Sequence, residues 1–218
     1  PMVEEHKISI LAITSGTKEF VAIVEYVPGT ILQGLPGHEL LKGEGVGAIL
    51  EGVGELIALD CLTNNLDRVP AIWSNDGNLG NVMVNMSGEV LGIDQQVNAI
   101  GDDAGRQRYF ATLRDFVAHA KLGRAGKPTA QIKAAFLENC GVEFTDEQCK
   151  EILQGAWTVF VRAAQLHATT LKEDLKNVDV QLTKTFGSSI VHVGLSRLEM
   201  SIEFVEHCFA VVADADAA

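Results

Sequence analysis

The sequence predicts an α+β fold in which a small β part is followed by a largely helical part. Two observations carry this prediction. Runs of apolar and β-branched residues, bounded by turn residues, lie at 8–13, 20–25 and 82–93. After residue 103, apolar residues recur at a spacing of three and four, which is the period of an amphipathic helix.

The β part is predicted to begin with two strands, 8–13 and 20–25, joined through Ser15 and Gly16. A helix is expected next, at about 38–62, because its apolar positions share one face. Five glycines weaken the prediction in the first half of this segment. Each glycine inside a helix costs about 1 kcal/mol relative to alanine.

The helical part is predicted to contain four helices. The first covers 103–122 and the second 129–139, where Gly141 is expected to cap the C-terminus. Thr145 and Gln148 form a capping box that opens a long third helix. The fourth covers 195–212. The whole chain is therefore interpreted as one domain, 1–218.

Composition narrows the class of protein. With 218 residues, of which 47% are hydrophobic and 21% charged, the chain can bury one substantial core. It contains no run of eighteen apolar residues, so no membrane span is predicted. The net charge of −12 argues against nucleic acid as a partner. Four scattered cysteines without a C-x-x-C pair favour reduced, buried thiols, and a cytoplasmic location is expected.

A β-hairpin between two polar residues is the clearest local signal. Residues 82–84 and 90–93 are predicted as its strands, and Ser87-Gly88 as a two-residue turn. This register pairs Met86 with Glu89 and Val84 with Leu91. It also places Asn81 opposite Asp94 at the open end of the hairpin. An amide oxygen and a carboxylate held side by side would suit Mg²⁺, which needs one or two protein oxygens and leaves room for phosphates.

Asp67, in the loop before the hairpin, supplies a third oxygen-bearing group. One Asp that orients a hydroxyl, followed by an Asn and a second Asp that hold a metal, is the arrangement of a protein-kinase phosphoryl-transfer site. Taken alone, Asp67 is better explained as a residue that caps a turn before Val69 and Pro70, and only the joint arrangement with Asn81 and Asp94 favours a metal and phosphate site. Arg68 is expected to brace the loop through a charge-assisted hydrogen bond. Trp73 is expected either to pack beneath the loop or to contact a protein substrate.

The spacing of these residues departs from the ordinary kinase pattern. Thirteen residues lie between Asp67 and Asn81, whereas the common catalytic loop has four at this place. With these departures, the sequence resembles the actin-fragmin kinase catalytic domain family. The resemblance lies in the run N-N-L-D-R-V-P-A-I-W-S-N-D-G-N-L-G-N-V-M-V at 64–84 and in I-D-Q at 93–95. This family comprises atypical protein kinases related to phosphoinositide kinases. The run F-V-A-I-V-E-Y-V-P-G at 20–29 resembles the strand and hinge that join the two lobes of a kinase.

The resemblance covers about residues 8–110 and implies a protein-kinase-like fold. It would place the end of the N-terminal lobe and the hinge at 1–30, as a two-stranded remnant, and the helical C-terminal lobe at 31–218. It implies ATP and Mg²⁺ as cofactors, and a Ser/Thr hydroxyl of actin or an actin complex as the acceptor. The residues implied in the site are Asp67 and Arg68 for catalysis, Asn81 and Asp94 for the metal, and Glu25, Tyr26, Val27 and Asn78 for the nucleotide.

Two other interpretations remain open. A kinase also needs a glycine-rich turn and a strand lysine well before the hinge, and fewer than twenty residues lie between Lys7 and Glu25. The chain is therefore expected to be a fragment, or a catalytically degenerate kinase-like module that binds a partner without turnover. The other alternative is a lipid or small-molecule kinase of the same superfamily.

Overall fold

The computed structural model describes residues 8–15, 18–25, 27–171, 173, 177 and 191–217. In this part of the chain, short antiparallel strands precede most of the helices, so the α+β class is confirmed. None of the helices in these segments combines the length and the hydropathy that a bilayer crossing needs.

The first sheet has two antiparallel strands, β1 (Ile8–Ser15) and β2 (Lys18–Glu25). Ile8 lies opposite Glu25 and Ser15 lies opposite Lys18, so the register is regular along both strands. The two strands predicted from the sequence are confirmed. Gly16, expected to join them, lies outside the described residues, as does Tyr26.

The second sheet has three antiparallel strands in the order β3, β4, β5. They are β3 (Gly29–Ile31), β4 (Val82–Asn85) and β5 (Val90–Gly92). The hairpin of β4 and β5 follows the sequence prediction, whereas β3 was not predicted. Thr30 of β3 lies opposite Val84, and the Leu32 N–H donates to Val82 O at 2.8 Å just beyond the strand.

The segment predicted as one helix at 38–62 forms two, so that prediction is wrong. Helix α1 (Gly34–Lys42) ends before Gly43, and α2 (Val46–Thr63) begins after Gly45. Gly45 has a φ of 79°. A left-handed residue cannot continue a right-handed helix, and glycine adopts this conformation without steric cost. The glycines that weakened the prediction therefore mark the break.

The helical part closely follows the prediction. It contains α3 (Asp103–Leu122), α4 (Lys127–Cys140), α5 (Asp146–Thr169) and α6 (Val191–Ala217), which extends beyond the predicted 195–212 at both ends. Gly141 caps α4 with a φ of 66°, as predicted. The capping box before α5 is also confirmed, because Thr145 and Gln148 each accept a hydrogen bond from the backbone N–H of the other.

Helices α2 and α5 lie against each other at the centre of the molecule, and glycines bring their backbones together. A Cβ added to Gly54 of α2 would lie 2.8 Å from the carbonyl carbon of Ile152. A Cβ added to Gly155 of α5 would lie 2.7 Å from the carbonyl carbon of Glu51. Around this contact the core is apolar, and it includes the free and buried thiols of Cys61, Cys140, Cys149 and Cys208. The prediction of reduced, buried cysteines is confirmed.

Candidate active site

The candidate site lies in the loop between α2 and β4 and at the open end of the hairpin. Helix α2 ends at Asn64, which has a φ of 52° and turns the chain into the loop. Asn tolerates this left-handed conformation better than most residues do. The side chain of Asn64 also holds the loop, because its Oδ1 accepts from Trp73 Nε1 at 2.9 Å.

Asp67 and Asn81 are brought together at this site. Asn81 Nδ2 donates to Asp67 Oδ2 at 2.9 Å, and both side chains are half-buried. The carboxylate therefore bonds to the hairpin entrance, 14 positions along the chain, instead of capping the turn beside it. The contact leaves the Asn81 Oδ1 oxygen free of this bond, so it can serve as a ligand.

The register of the hairpin differs from the prediction by one residue. Asn85 lies opposite Glu89, with the Asn85 N–H donating to Glu89 O at 3.0 Å. Met86, Ser87 and Gly88 form a three-residue loop. The predicted pairs of Met86 with Glu89 and of Val84 with Leu91 are therefore wrong. In the observed register Val84 pairs with Val90 and Met83 pairs with Leu91.

The same shift changes the open end of the hairpin. Asn81 lies opposite Ile93, whose N–H donates to Asn81 O at 3.0 Å. The predicted pairing of Asn81 with Asp94 is therefore wrong, because Asp94 is one position further along. Asp94 is exposed and has a φ of 56°, so the extended strand ends there. The alternation of a strand no longer fixes the direction of its carboxylate, and Asp94 stays a predicted ligand.

Arg68 is a wholly buried cation beside this site. Its Nη1 donates to Asp60 Oδ1 of α2 at 2.7 Å, and both side chains are 0% exposed. Its Nη2 donates to Gln95 Oε1. The charge-assisted hydrogen bond predicted for Arg68 is therefore present. Burial raises the pKa of the Asp60 carboxyl to about 7, against the attraction of Arg68 and a favourable interaction with the Asn65 side chain.

Asn78 and Trp73 shape the loop. Asn78 Oδ1 accepts from the Gly80 N–H at 3.1 Å and caps a 3-10 turn at Leu79–Asn81, and the Asn78 N–H donates to Arg68 O at 2.7 Å. Trp73 is half-buried against the core, with its ring centroid 6.5 Å from that of Tyr109. The packing interpretation of Trp73 is therefore confirmed. A nucleotide contact by Asn78 stays a prediction.

The residues predicted to meet the nucleotide base lie at the end of β2 and just after it. Glu25 is the last residue of β2, and Val27 follows two positions later as a half-buried residue. Tyr26 lies outside the described residues. Contacts of these residues with adenine stay predictions.

Asp60, Gln95 and Asn64 were missed by the sequence interpretation. A signal for Asp60 was present, because it is an acidic residue inside the apolar stretch 56–62. Carboxylates are rarely buried without a partner, so a cation in the neighbouring loop could have been inferred. Gln95 and Asn64 gave no comparable signal.

The side chains at the site have the donor chemistry of a magnesium site. Within the described residues, no group of three or more His, Cys, Asp or Glu side chains is arranged to hold a metal ion. Mg²⁺ does not require such a cage, because it commonly binds one or two protein oxygens together with substrate phosphates. Asn81 supplies an amide oxygen that its bond to Asp67 leaves free, and Asp94 supplies an exposed carboxylate. These hard oxygen donors fit Mg²⁺.

The loop and the hairpin lie in a part of the chain whose sequence matches a known family of catalytic domains. Residues 12–100 match the family model described as the catalytic domain of actin-fragmin kinase. The matched range includes the loop and the whole hairpin. The resemblance inferred from the run 64–84 is therefore confirmed over this range.

A curated relative supports the same family. The chain is 25% identical over 182 residues to a protein of Dictyostelium discoideum provisionally named an actin-fragmin kinase. The alignment covers 74% of this chain and 42% of the relative. The chain therefore spans less than half the length of that protein.

Proposed function

We propose that the chain forms the catalytic part of a protein kinase, which transfers the γ-phosphoryl group of ATP to a Ser or Thr hydroxyl. The observation that carries the proposal is the hydrogen bond between Asp67 and Asn81. It joins the predicted base to a predicted metal ligand, inside the range that matches the kinase family. Actin, alone or in a complex, is the proposed substrate, because both the family and the relative are named for it.

Each residue has a proposed role. Asp67 orients the acceptor hydroxyl and takes its proton, since a general base must lie within hydrogen-bond reach of the proton that it removes. Asn81 and Asp94 would hold Mg²⁺, which when bound neutralises the charge of the triphosphate. Arg68 is too deeply buried to touch a substrate, and it keeps the loop in place. The backbone of Glu25 and Val27 would meet the adenine edge.

The division of the chain into two lobes is a further part of the proposal. Sheet β1–β2 would be the end of the N-terminal lobe, and β2 would lead into the hinge. The second sheet and the helices from α1 onward would form the C-terminal lobe. The strands before and after Val27 belong to two separate sheets, which supports this division.

One observation favours a second candidate function. Asp94 does not lie opposite Asn81 in the hairpin, and it is exposed. This would suit a kinase-like module that binds its partner without turnover. The two candidate functions differ in the role of the Asp67 and Asp94 carboxylates. In the kinase they take part in phosphoryl transfer, whereas in the binding module they only help to shape the loop.

The test is a phosphoryl-transfer assay on the protein that carries this chain, with actin as the acceptor. Asp67→Asn keeps the size of the side chain and removes its basicity. We expect kcat to fall by about 10²–10⁴-fold, with little change in KM for ATP. Asp94→Asn should instead raise the Mg²⁺ concentration needed for half-maximal rate. Asp76→Asn, an exposed carboxylate in the same loop, is the matched control and should change neither.

The results separate the candidates. Near-normal turnover by Asp67→Asn would overturn the assignment of the base. Binding of actin without any phosphoryl transfer by the wild type, unchanged by Asp67→Asn, would favour the binding module. Transfer to an inositol lipid in preference to any protein would replace the proposed substrate class.

A further inference from the structure

The segment that carries Asp94 is held by a buried network centred on Arg68. We infer that Gln95 and Asp60 are positioning residues, which fix the Arg68 guanidinium and through it the predicted metal ligand Asp94. The inference rests on the proposed function. It assigns roles to two residues that belong to neither the predicted base nor the predicted metal ligands.

The guanidinium joins two distant parts of the chain. On one side it bonds to Asp60 in the last turns of α2, at 2.7 Å. On the other side it bonds to the Gln95 side chain, directly after Asp94. Arginine suits this role, because its planar fork presents several donors in a fixed geometry.

The guanidinium also lies against the chain before Asp94. A Cβ added to Gly92 would lie 2.8 Å from Arg68 Cζ and 2.8 Å from Leu56 Cδ1. The end of β5 therefore runs directly over the cation, at a place where even a Cβ would displace the guanidinium or Leu56. Gly92, two residues before Asp94, therefore packs on the guanidinium, and Gln95, directly after Asp94, is hydrogen-bonded to it.

The chain after Gln95 is tied to the same helix. The Asn98 N–H donates to Thr63 O at 3.0 Å. The Asn98 and Asn64 side chains each donate to the backbone carbonyl of the other residue, at 3.1 and 2.7 Å. Gln95 Nε2 also donates to Thr63 Oγ1 at 3.3 Å. The segment is thus anchored to the end of α2 on the far side of Asp94 as well.

This arrangement leaves the carboxylate itself accessible. Asp94 is exposed, and its position is set by its neighbours instead of by its own side-chain bonds. A ligand that is held in place before the metal arrives loses less conformational freedom on binding. Gln95 is the member of the network that can be removed with the least disturbance, because it is exposed whereas Asp60 and Arg68 are buried.

The first measurement is amide hydrogen exchange on the chain, resolved by residue. In Gln95→Leu we expect the amides of Ile93 and Asn98 to exchange at least about tenfold faster, because the variant loses the bond to the charged Arg68 together with the weaker bond to Thr63. The amide of Phe160 in the core should not change. Gln95→Glu keeps an acceptor for Arg68 and should restore protection. Gln96→Leu removes the adjacent exposed amide and is the matched control.

The second measurement links the network to the metal. Mn²⁺ alone is titrated while the paramagnetic broadening of amides around Asp94 is followed. Asp94→Asn should remove the broadening, and Gln95→Leu should weaken Mn²⁺ binding by about tenfold, the lower end of the effect of losing an outer-shell partner. Gln95→Glu should bind Mn²⁺ at least as tightly as the wild type does, because it keeps the acceptor for Arg68 and adds a carboxylate beside Asp94.

The outcomes distinguish this inference from the proposed function. If Gln95→Leu leaves exchange unchanged, or changes exchange but not Mn²⁺ affinity, the inference is overturned while the proposed function stands. If Asp94→Asn binds Mn²⁺ as the wild type does, the metal site of the proposed function fails, and the inference falls with it. Asp60→Asn offers a second variant, and the Gln95 series decides the matter if that variant does not fold.

Discussion

Replacing Gly155 with alanine should force helices α2 and α5 apart. The new Cβ would lie 2.7 Å from the carbonyl carbon of Glu51, far inside ordinary van der Waals contact. The obstructing atoms are backbone, and the Glu51 carbonyl oxygen is closer still than the carbon, so no side chain can rotate away and one helix must move to relieve the overlap. Gly54 on the facing helix is in the same situation with Ile152.

The size of the effect follows from two opposing contributions. Overpacking of a close contact costs about 1–3 kcal/mol, and alanine regains up to about 1 kcal/mol of helix propensity. Because the contact is with backbone, we take the upper overpacking cost of about 3 kcal/mol and subtract the gain in propensity of about 1 kcal/mol. We therefore expect Gly155→Ala to lower the free energy of unfolding by about 2 kcal/mol. In a chain of this size, that corresponds to a fall in Tm of about 4–8 °C.

The assay is thermal unfolding followed by circular dichroism, with a control in α2. Gly47 also lies in α2, but a Cβ added there would meet nothing within 4 Å. Gly47→Ala should raise Tm by about 2–4 °C, because only the propensity contribution remains. Once Gly155→Ala has separated the helices, Gly54→Ala should cost less than it does alone, since the two sites share one contact. A Gly155→Ala protein that is as stable as Gly47→Ala would refute the close approach of the helices.

Two further predictions concern buried titratable groups. The pKa of Asp60 is about 7 in the folded chain against 3.8 ordinarily, so its contribution to stability is full below pH 4 and is lost as the pH rises through 7. Urea unfolding should therefore show that the free energy of unfolding of the wild type, relative to that of Asp60→Asn, decreases from pH 4 to pH 8. If this difference increases with pH instead, Arg68 keeps Asp60 ionised in the folded chain. Burial also raises the pKa of all four cysteine thiols. Their labelling by a disulfide reagent at pH 8 should therefore be on the order of 100-fold slower in the folded chain than in urea. A thiol that reacts in the folded chain as fast as in urea would contradict this.

The sequence predicted those elements whose signals are local and repeated. Helices α3 and α5 carry apolar stripes over many turns, and Thr145 and Gln148 mark the start of α5. Strand β3 was missed because three residues are too few to show an alternation. It is defined by its partner, since Thr30 pairs with Val84 more than fifty positions away.

The hairpin register shows how turn chemistry decides a site. A two-residue loop of the favoured type requires positive φ at both positions, and Ser87 would have to adopt it. The observed loop needs positive φ only at Gly88, where it is 84°. Asn85 Oδ1 accepts from the N–H groups of Ser87 and Glu89, both at 2.9 Å, which stabilises the longer loop. A shift of one residue was enough to move Asp94 away from the position opposite Asn81.

The candidate site could be predicted only in part for the same reason. Asp67 and Asn81 were expected to converge, and they do, although through a direct hydrogen bond. The partners of Arg68 could not be read from the sequence. Asp60 and Gln95 lie on opposite sides of it in the chain and become neighbours only when α2 and the hairpin pack together.

Strand β3 has a mechanical consequence. Its backbone bonds join the chain that leaves β2 to the strand that follows Asn81, and Gly29 packs so closely that a Cβ there would lie 2.9 Å from Met83 Cγ. If β2 swings during a cycle of opening and closing, the pivot must lie before Gly29, because the hairpin and β3 form one sheet. Strand β3 and Asn81 would then keep a constant distance from each other throughout the movement.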